Sequence, residues 1–308
     1  MKKVYKWLII FTGLFLIVEL ILRLGFGFCD TVLMQSDPDF EYIAQPNQDR
    51  HRFGNDIEYN SLSMRNEEVD PQAIHILGLG DSVLNGGVLT DQDSLATFIV
   101  AKKLTNKLHK KVQFLNISAG SWGPDNCYAY IKRYGDFNAK VIYLLVSSHD
   151  AHDDMNFSDV VGKHPSYPDR QYTLAVVELF DRYLYPRILK IFKKKNEQEE
   201  DEAVSLGINK NGKEFNTGFK DIVDFAKKRN IPLKILLHPE KHEFKMQDYN
   251  AQGKEIIEFC QKNNIELIKL IDKGYKTNFY RDGIHLNENG QKLLSDVIFK
   301  DLNKSFYR

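Results

Sequence analysis

Neither sign of charge dominates this chain: its 308 residues hold 42 Lys+Arg and 42 Asp+Glu, a formal net charge of zero. Nucleic acid is gripped through a basic excess over its phosphates, so it is not an expected partner. Cysteine is scarce. Cys29, Cys127 and Cys260 stand far apart and form no closely spaced pair, which leaves no metal-like or redox-like cysteine motif. One Cys127–Cys260 disulfide would suit an oxidising compartment; buried free thiols are the simpler expectation. No internal repeat or low-complexity tract is present. What the chain does have is 43% hydrophobic residues, ample for the buried core of one large domain or two small ones.

The first 28 residues are distinct. Lys2, Lys3 and Lys6 precede an apolar run from Trp7 to Val18, continued by Leu20, Ile21, Leu22, Leu24, Phe26 and Phe28. That approaches the roughly 20 residues that a membrane-spanning helix needs. Glu19 and Arg23 interrupt it with a spacing that lets them pair on one helix face near the distal end. Basic residues ahead of the span place residues 1–6 in the cytoplasm, 7–28 in the inner membrane as a single-pass signal-anchor, and the rest on the extracytoplasmic side. A cleaved signal peptide is the competing reading. Phe28 before Cys29, with no small-x-small site, argues against cleavage and against lipoprotein processing.

Residues 29–73 contain few apolar stretches and read as a lead-in segment covering the domain rather than forming its core. From Ile74 onward the pattern alternates. Short apolar strand candidates (Ile74–Leu79, Val112–Asn116, Val141–Val146, Leu233–Leu237, Glu266–Leu270) alternate with helical patterns. The latter are Ser94–Leu108, Asn126–Tyr134, Gln171–Phe192, Phe215–Lys228, Gln247–Asn263 and Asn289–Lys304. Strands without polar alternation are buried on both faces, so residues 74–308 are expected to form a three-layer α/β/α domain with a mostly parallel central sheet. The charge run Lys190 to Glu202 joins two of the helical patterns. It reads as a solvated helix end and loop, with contact to a membrane surface or acidic glycan as the alternative.

Catalytic groups of such a sheet gather at the strands' carboxyl ends. There the chain places Gly80-Asp81-Ser82, and just before its last helical pattern it places Asp282-Gly283-Ile284-His285. A serine on a tight turn is exposed enough to attack a carbonyl. It needs a histidine to take its proton and a carboxylate to fix that histidine's tautomer. Ser82, Asp282 and His285 are the candidate nucleophile, orienting acid and base.

Ile76 to Gly86 resembles block I of the SGNH (GDSL) hydrolase superfamily. Asp282-Gly283-Ile284-His285-Leu286-Asn287, followed by Gly290, resembles its last block. Between them, Asn116-Ile117-Ser118-Ala119-Gly120 stands where block II places its oxyanion glycine. The resemblance covers about residues 74 to 305. It implies the flavodoxin-like layout, ester-bond chemistry through an acyl-serine without metal or cofactor, and an oxyanion hole from the N–H groups of Ser82 and Gly120. Asn60-Ser61-Leu62-Ser63-Met64-Arg65 partly resembles the N-S-x-G-(F/Y)-R lead-in of membrane-anchored members in bacterial envelope and polysaccharide pathways, with Ser63 and Met64 replacing the glycine and the aromatic.

The departure is block III, ordinarily G-x-N-D, here Ser147-Ser148-His149-Asp150. A neutral His149 could donate to the oxyanion in place of the asparagine, or simply satisfy a buried carbonyl. The dense run His149-Asp150-Ala151-His152-Asp153-Asp154 also raises a rival class, the metal-dependent phosphoesterases, although the other histidines form no matching spaced motif. His238, at the end of a strand, could line the cleft or be structural.

Three functions follow. One is an esterase removing an acyl group, acetyl foremost, from an envelope or exported polysaccharide. Another is an O-acyltransferase handing the same acyl group to a sugar hydroxyl. The third is an inactive glycan-binding or scaffold module. Expected partners are an ester-bearing small molecule or glycan, the membrane, and polysaccharide-pathway membrane proteins.

Overall fold

The computed structural model describes residues 2–192, 208, 210 and 212–305. A long apolar helix, α1 (Lys2–Leu20), continues into a π turn (Ile21–Gly25). Over Lys3–Gly25 it is long and apolar enough to cross a membrane, and its side chains are largely uncovered. Two antiparallel hairpins follow, β1 (Met34–Asp37) with β2 (Glu41–Ala44), and β3 (Gln48–Arg52) with β4 (Asn55–Tyr59).

The sheet region then runs in order: β5 (Ile74–Gly80), α2 (Ser82–Asn85), α3 (Ala96–Leu108), β6 (Val112–Ser118), α4 (Pro124–Tyr134) and β7 (Ile142–Ser147). A helical segment comes next, α5 (Ala175–Glu178), a π stretch (Leu179–Leu184) and α6 (Tyr185–Phe192). It closes with α7 (Gly218–Arg229), β8 (Leu233–His238), α8 (Lys241–Met246), α9 (Ala251–Asn263), β9 (Glu266–Lys269) and α10 (Glu288–Ser305).

The five central strands are all parallel, in the order β6-β5-β7-β8-β9. Every residue of β6 and of β7 is buried, as strands covered on both faces must be. On one face Val100 and Leu104 of α3 meet Leu294, Ile298 and Leu302 of α10 over Ile76, Phe114 and Tyr143. On the other, Cys127, Tyr130, Phe219, Ile222, Ile256 and Cys260 of α4, α7 and α9 cover Leu77, Leu115, Leu144 and Ile235. The layers are therefore α/β/α. Cys127 and Cys260 are buried free thiols.

The lead-in differs from its expectation. Phe40, Tyr42, Ile43, Ile57, Tyr59 and Met64 are buried within the second of these cores. They contribute one or two apolar side chains at a time from short hairpin strands, a pattern too brief to register as a hydrophobic run.

The end of α1 is built into the rest of the chain. Arg23 pairs with Glu19 at 2.7 Å, and Glu19 also accepts the N–H groups of Ala175 and Val176 at the start of α5. These are donors that a helix's first turn leaves without partners, so α1 caps α5 from outside. On its inner side α5 presents Glu178, fully buried against Arg52. On its outer side Val177, Phe180, Leu184 and Ile188 form an exposed apolar stripe. Of the charge run Lys190 to Glu202, residues 193–202 lie outside the described residues.

Candidate active site

In a parallel sheet of this order β5 lies between β6 and β7, so the chain steps outward from β5 to β6 and then returns across β5 to β7. A crevice opens at the carboxyl ends where the direction switches. The segments following these three strands carry Ser82, Gly120 and His149.

β5 can deliver the nucleophile because its last residue is glycine. A Cβ on Gly80 would lie 3.0 Å from the Leu145 carbonyl oxygen and 3.1 Å from Leu84. Asp81 then caps α2, its Oδ1 accepting the Val83 N–H at 2.8 Å, and Ser82 is the first helical residue. The turn ends at Gly86, whose φ of 76° lies in the left-handed region that favours glycine.

His285 Nε2 lies 2.9 Å from Ser82 Oγ, and His285 Nδ1 lies 2.8 Å from Asp282 Oδ2. An ionised carboxylate only accepts, so the Nδ1 proton belongs to this bond and Nε2 is left to accept from Ser82. The other Asp282 oxygen accepts the N–H groups of Ile284 (2.9 Å) and His285 (2.7 Å). Burial alone would raise the Asp282 carboxyl. The hydrogen bond and charge of His285, with the two N–H donors, hold it well below the usual carboxylate range. The three residues expected from the sequence thus form one hydrogen-bonded chain.

Ser82 and Gly120 were expected to supply N–H groups. Among the described residues neither of those N–H groups donates to an acceptor of the chain. The Gly120 carbonyl, by contrast, accepts the hydroxyls of Tyr42 (3.0 Å) and Tyr167 (3.2 Å), which fixes that peptide's orientation.

The two ring nitrogens of His149 differ. Nδ1 faces Glu240 Oε1 at 3.1 Å, whereas Nε2 stands 3.8, 3.9 and 4.0 Å from carboxylate oxygens of Asp153, Asp150 and Asp81, beyond hydrogen-bond reach. The nitrogen on which a third oxyanion donor would depend thus faces carboxylates. Burial opposes a charge on this imidazole, but Asp150, the Glu240 hydrogen bond, Asp153 and Asp81 outweigh it and push its pKa well up. Burial likewise pushes up Asp81 and Asp150, and lifts Asp153 to about 6.

Several supporting residues were not singled out from the sequence. Arg65 is fully buried and donates to the carbonyls of Asn85 (3.0 Å), Gly87 (2.5 Å) and Thr90 (2.7 Å), clamping the loop behind Ser82. Asn85 donates to the Ser118 carbonyl at 3.0 Å, tying that loop to β6. Arg281 reaches Thr90 Oγ1 at 3.1 Å and the Gly86 carbonyl at 3.2 Å, joining the histidine loop to the serine loop. His238 is structural: it is buried, with Nε2 bonded at 2.9 Å to the Ile284 carbonyl beside His285. The lead-in motif was the one signal for Arg65. Tyr42, Tyr167 and Asn85 had none.

No family model and no curated protein matches the chain. Solved structures similar to it in layout include the psychrotrophic esterase EstA from Pseudoalteromonas, at 11% identity over 76% of this chain and 99% of that one, with a TM-score of 0.43. A lipase/acylhydrolase from Enterococcus faecalis is 13% identical over 75% of this chain and 96% of that one, with a TM-score of 0.41. A member of the lipolytic G-D-S-L family from Veillonella parvula is 12% identical over 72% and 94%, with a TM-score of 0.38. The chain is an α/β/α protein similar in layout to lipolytic hydrolases and esterases, and the chemistry proposed for it rests on its own residues.

Proposed function

We propose that the chain is a serine esterase acting on acyl esters, acetyl foremost, of an envelope or exported polysaccharide. The observation that carries this reading is the Ser82–His285–Asp282 hydrogen-bonded chain at the carboxyl edge of the sheet. Ser82 Oγ attacks the ester carbonyl carbon as its proton passes to His285 Nε2. The carbonyl oxygen becomes an oxyanion held by the N–H groups of Ser82 and Gly120. Collapse expels the sugar oxygen, which takes the proton from His285 and leaves an acyl-serine. Water, deprotonated by the same imidazole, then releases the acid. The His285 and Asp282 side chains are about 28% and 30% exposed, which suits an ester carried on a polymer too large to be enclosed. An O-acyltransferase shares the acyl-serine and differs only in the acceptor. Hydrolysis of p-nitrophenyl acetate by the purified protein, with and without acceptor glycan, separates the two. Turnover that rises with glycan while the glycan gains acyl groups overturns the esterase assignment.

For the oxyanion hole, Gly120→Pro deletes the N–H and should lower turnover on the order of a hundredfold or more. Gly120→Ala keeps the N–H, and its Cβ would meet only the Tyr167 hydroxyl at 3.5 Å, so it should retain most activity. Equal rates in the folded Pro and Ala variants would remove Gly120 from the site.

In this reading α1 is an uncleaved anchor and the sheet domain lies outside the inner membrane. The exposed stripe of Val177, Phe180, Leu184 and Ile188 lies on the segment that Glu19 and Arg23 hold, where a bilayer surface would cover it. Protease added to intact spheroplasts should digest the sheet domain. Protection of that domain until lysis would reverse the topology.

A further inference from the structure

We infer that Asp81, His149 and Asp150, with Asp153 beside them, form a binding site for one divalent first-row transition-metal ion. Asp81, His149 and Asp150 are each held by one atom and present another to the cluster. His149 Nδ1 faces Glu240 Oε1 at 3.1 Å, which places the Nδ1 proton in that bond and leaves Nε2 as the atom facing the cluster, its proton given up when an ion binds. Asp81 Oδ1 accepts the Val83 N–H, leaving Oδ2 at 4.0 Å from Nε2. Asp150 Oδ2 accepts the Ser147 N–H at 2.6 Å, leaving Oδ1 at 3.9 Å from Nε2. Asp153 Oδ2 lies 3.8 Å from Nε2 at the edge of this group.

Asp150 Oδ1 is the independent sign of a ligand. The residue is 1% exposed, and this oxygen has no hydrogen-bond partner although it is aimed into the cluster. A buried carboxylate oxygen without a partner is costly, and an ion would satisfy it. The ligand atoms of Asp81, His149 and Asp150 all lie within 4.8 Å of one another. Metal–nitrogen and metal–oxygen bonds of about 2.0–2.2 Å reach ligand pairs up to about 4.4 Å apart, so the 3.9 and 4.0 Å separations from Nε2 fit at wide ligand–metal–ligand angles. Glu240 behind Nδ1 supplies the carboxylate–histidine support usual for a metal-bound imidazole. One nitrogen and three carboxylates suit Zn²⁺ or Mn²⁺ rather than the soft Cu⁺.

The full-length protein in detergent, stripped with chelator, should take up about one equivalent of Zn²⁺ or Mn²⁺ in equilibrium dialysis read by elemental analysis. Glu240→Gln leaves every ligand in place and should weaken affinity roughly 10–100-fold. His149→Ala and Asp150→Asn should weaken it further, whereas His152→Ala, a neighbouring histidine paired with Glu255, should leave it unchanged. Should a ligand variant fail to fold, pulsed EPR of Mn²⁺ on the wild type gives the same decision, because an imidazole nitrogen must couple to the ion. Substoichiometric uptake, wild-type affinity in His149→Ala, or Mn²⁺ without nitrogen coupling each overturns the site.

Discussion

Ser82→Ala should abolish covalent labelling by a fluorophosphonate probe and lower ester turnover by at least three orders of magnitude. Ser82 Oγ is the hydroxyl that His285 Nε2 reaches, at 2.9 Å, and among the described residues no other serine hydroxyl is paired with a histidine. His285→Ala should lose nearly as much, because the hydroxyl then stays protonated at neutral pH. Asp282→Asn should cost less. Asp282 orients the ring and does not itself take the proton, and the two N–H groups that it accepts keep the loop in place in the variant. Rate and labelling measured on the three variants decide the assignment. Loss of labelling in His149→Ala with retention in His285→Ala would transfer the base to His149 and reduce the Asp282–His285 turn to a lead into α10.

The second large effect is on stability. Arg52 and Glu178 form an ion pair at 2.5 Å with side chains 1% and 0% exposed. Arg52 also donates to the Gly27 carbonyl at 2.8 Å and to the Tyr183 hydroxyl at 3.0 Å, and its guanidinium lies over the Phe53 ring. Glu178 accepts the Cys29 N–H at 2.6 Å. Removing one member leaves the other buried without its counter-charge, which typically costs about 3–5 kcal/mol. Arg182, 3.2 Å from Glu178, remains as a partial substitute, so Arg52→Met should fall near the lower end. A loss of about 3 kcal/mol would lower the thermal midpoint by roughly 6–12 °C in a chain of this size. The double variant Arg52→Met with Glu178→Leu should recover much of that, since apolar replacement of a whole buried pair is often neutral. A thermal midpoint unchanged in Arg52→Met would show that the pair stabilises nothing.

The sheet was legible because doubly buried strands announce themselves. β5 to β8 are short apolar runs between helix-length amphipathic patterns, and their observed ends fall within two residues of those read from sequence. The hydrogen-bonded chain of Ser82, His285 and Asp282 was legible because its two halves are contiguous motifs, Gly80-Asp81-Ser82 and Asp282 to His285. What stayed hidden depends on contacts between distant segments. Tyr42 and Tyr167 lie 78 and 47 residues from Gly120, yet both bind its carbonyl. The hairpins β1 to β4 bury isolated side chains on strands of four or five residues, which leaves little periodicity to read. His149 was placed by its position in the block. Its surroundings came from Asp81 after β5 and Glu240 after β8, contacts that no local pattern encodes.

The bond between Glu19 and the start of α5 changes what kind of attachment α1 provides. A floppy stalk would let the catalytic face sample every tilt and a wide range of heights. Here the last turns of the anchor hydrogen-bond into the body through Glu19, Arg23 and the N–H of Phe53, which donates to the Phe26 carbonyl at 3.0 Å. With α1 as the anchor and the chain as the esterase proposed above, the body would work as a tool mounted on a fixed shank. Its reach above the bilayer would be set by the body's own dimensions, its encounter with substrate would become a search in two dimensions, and the acyl groups it removed would be those a polymer carries past at that one level.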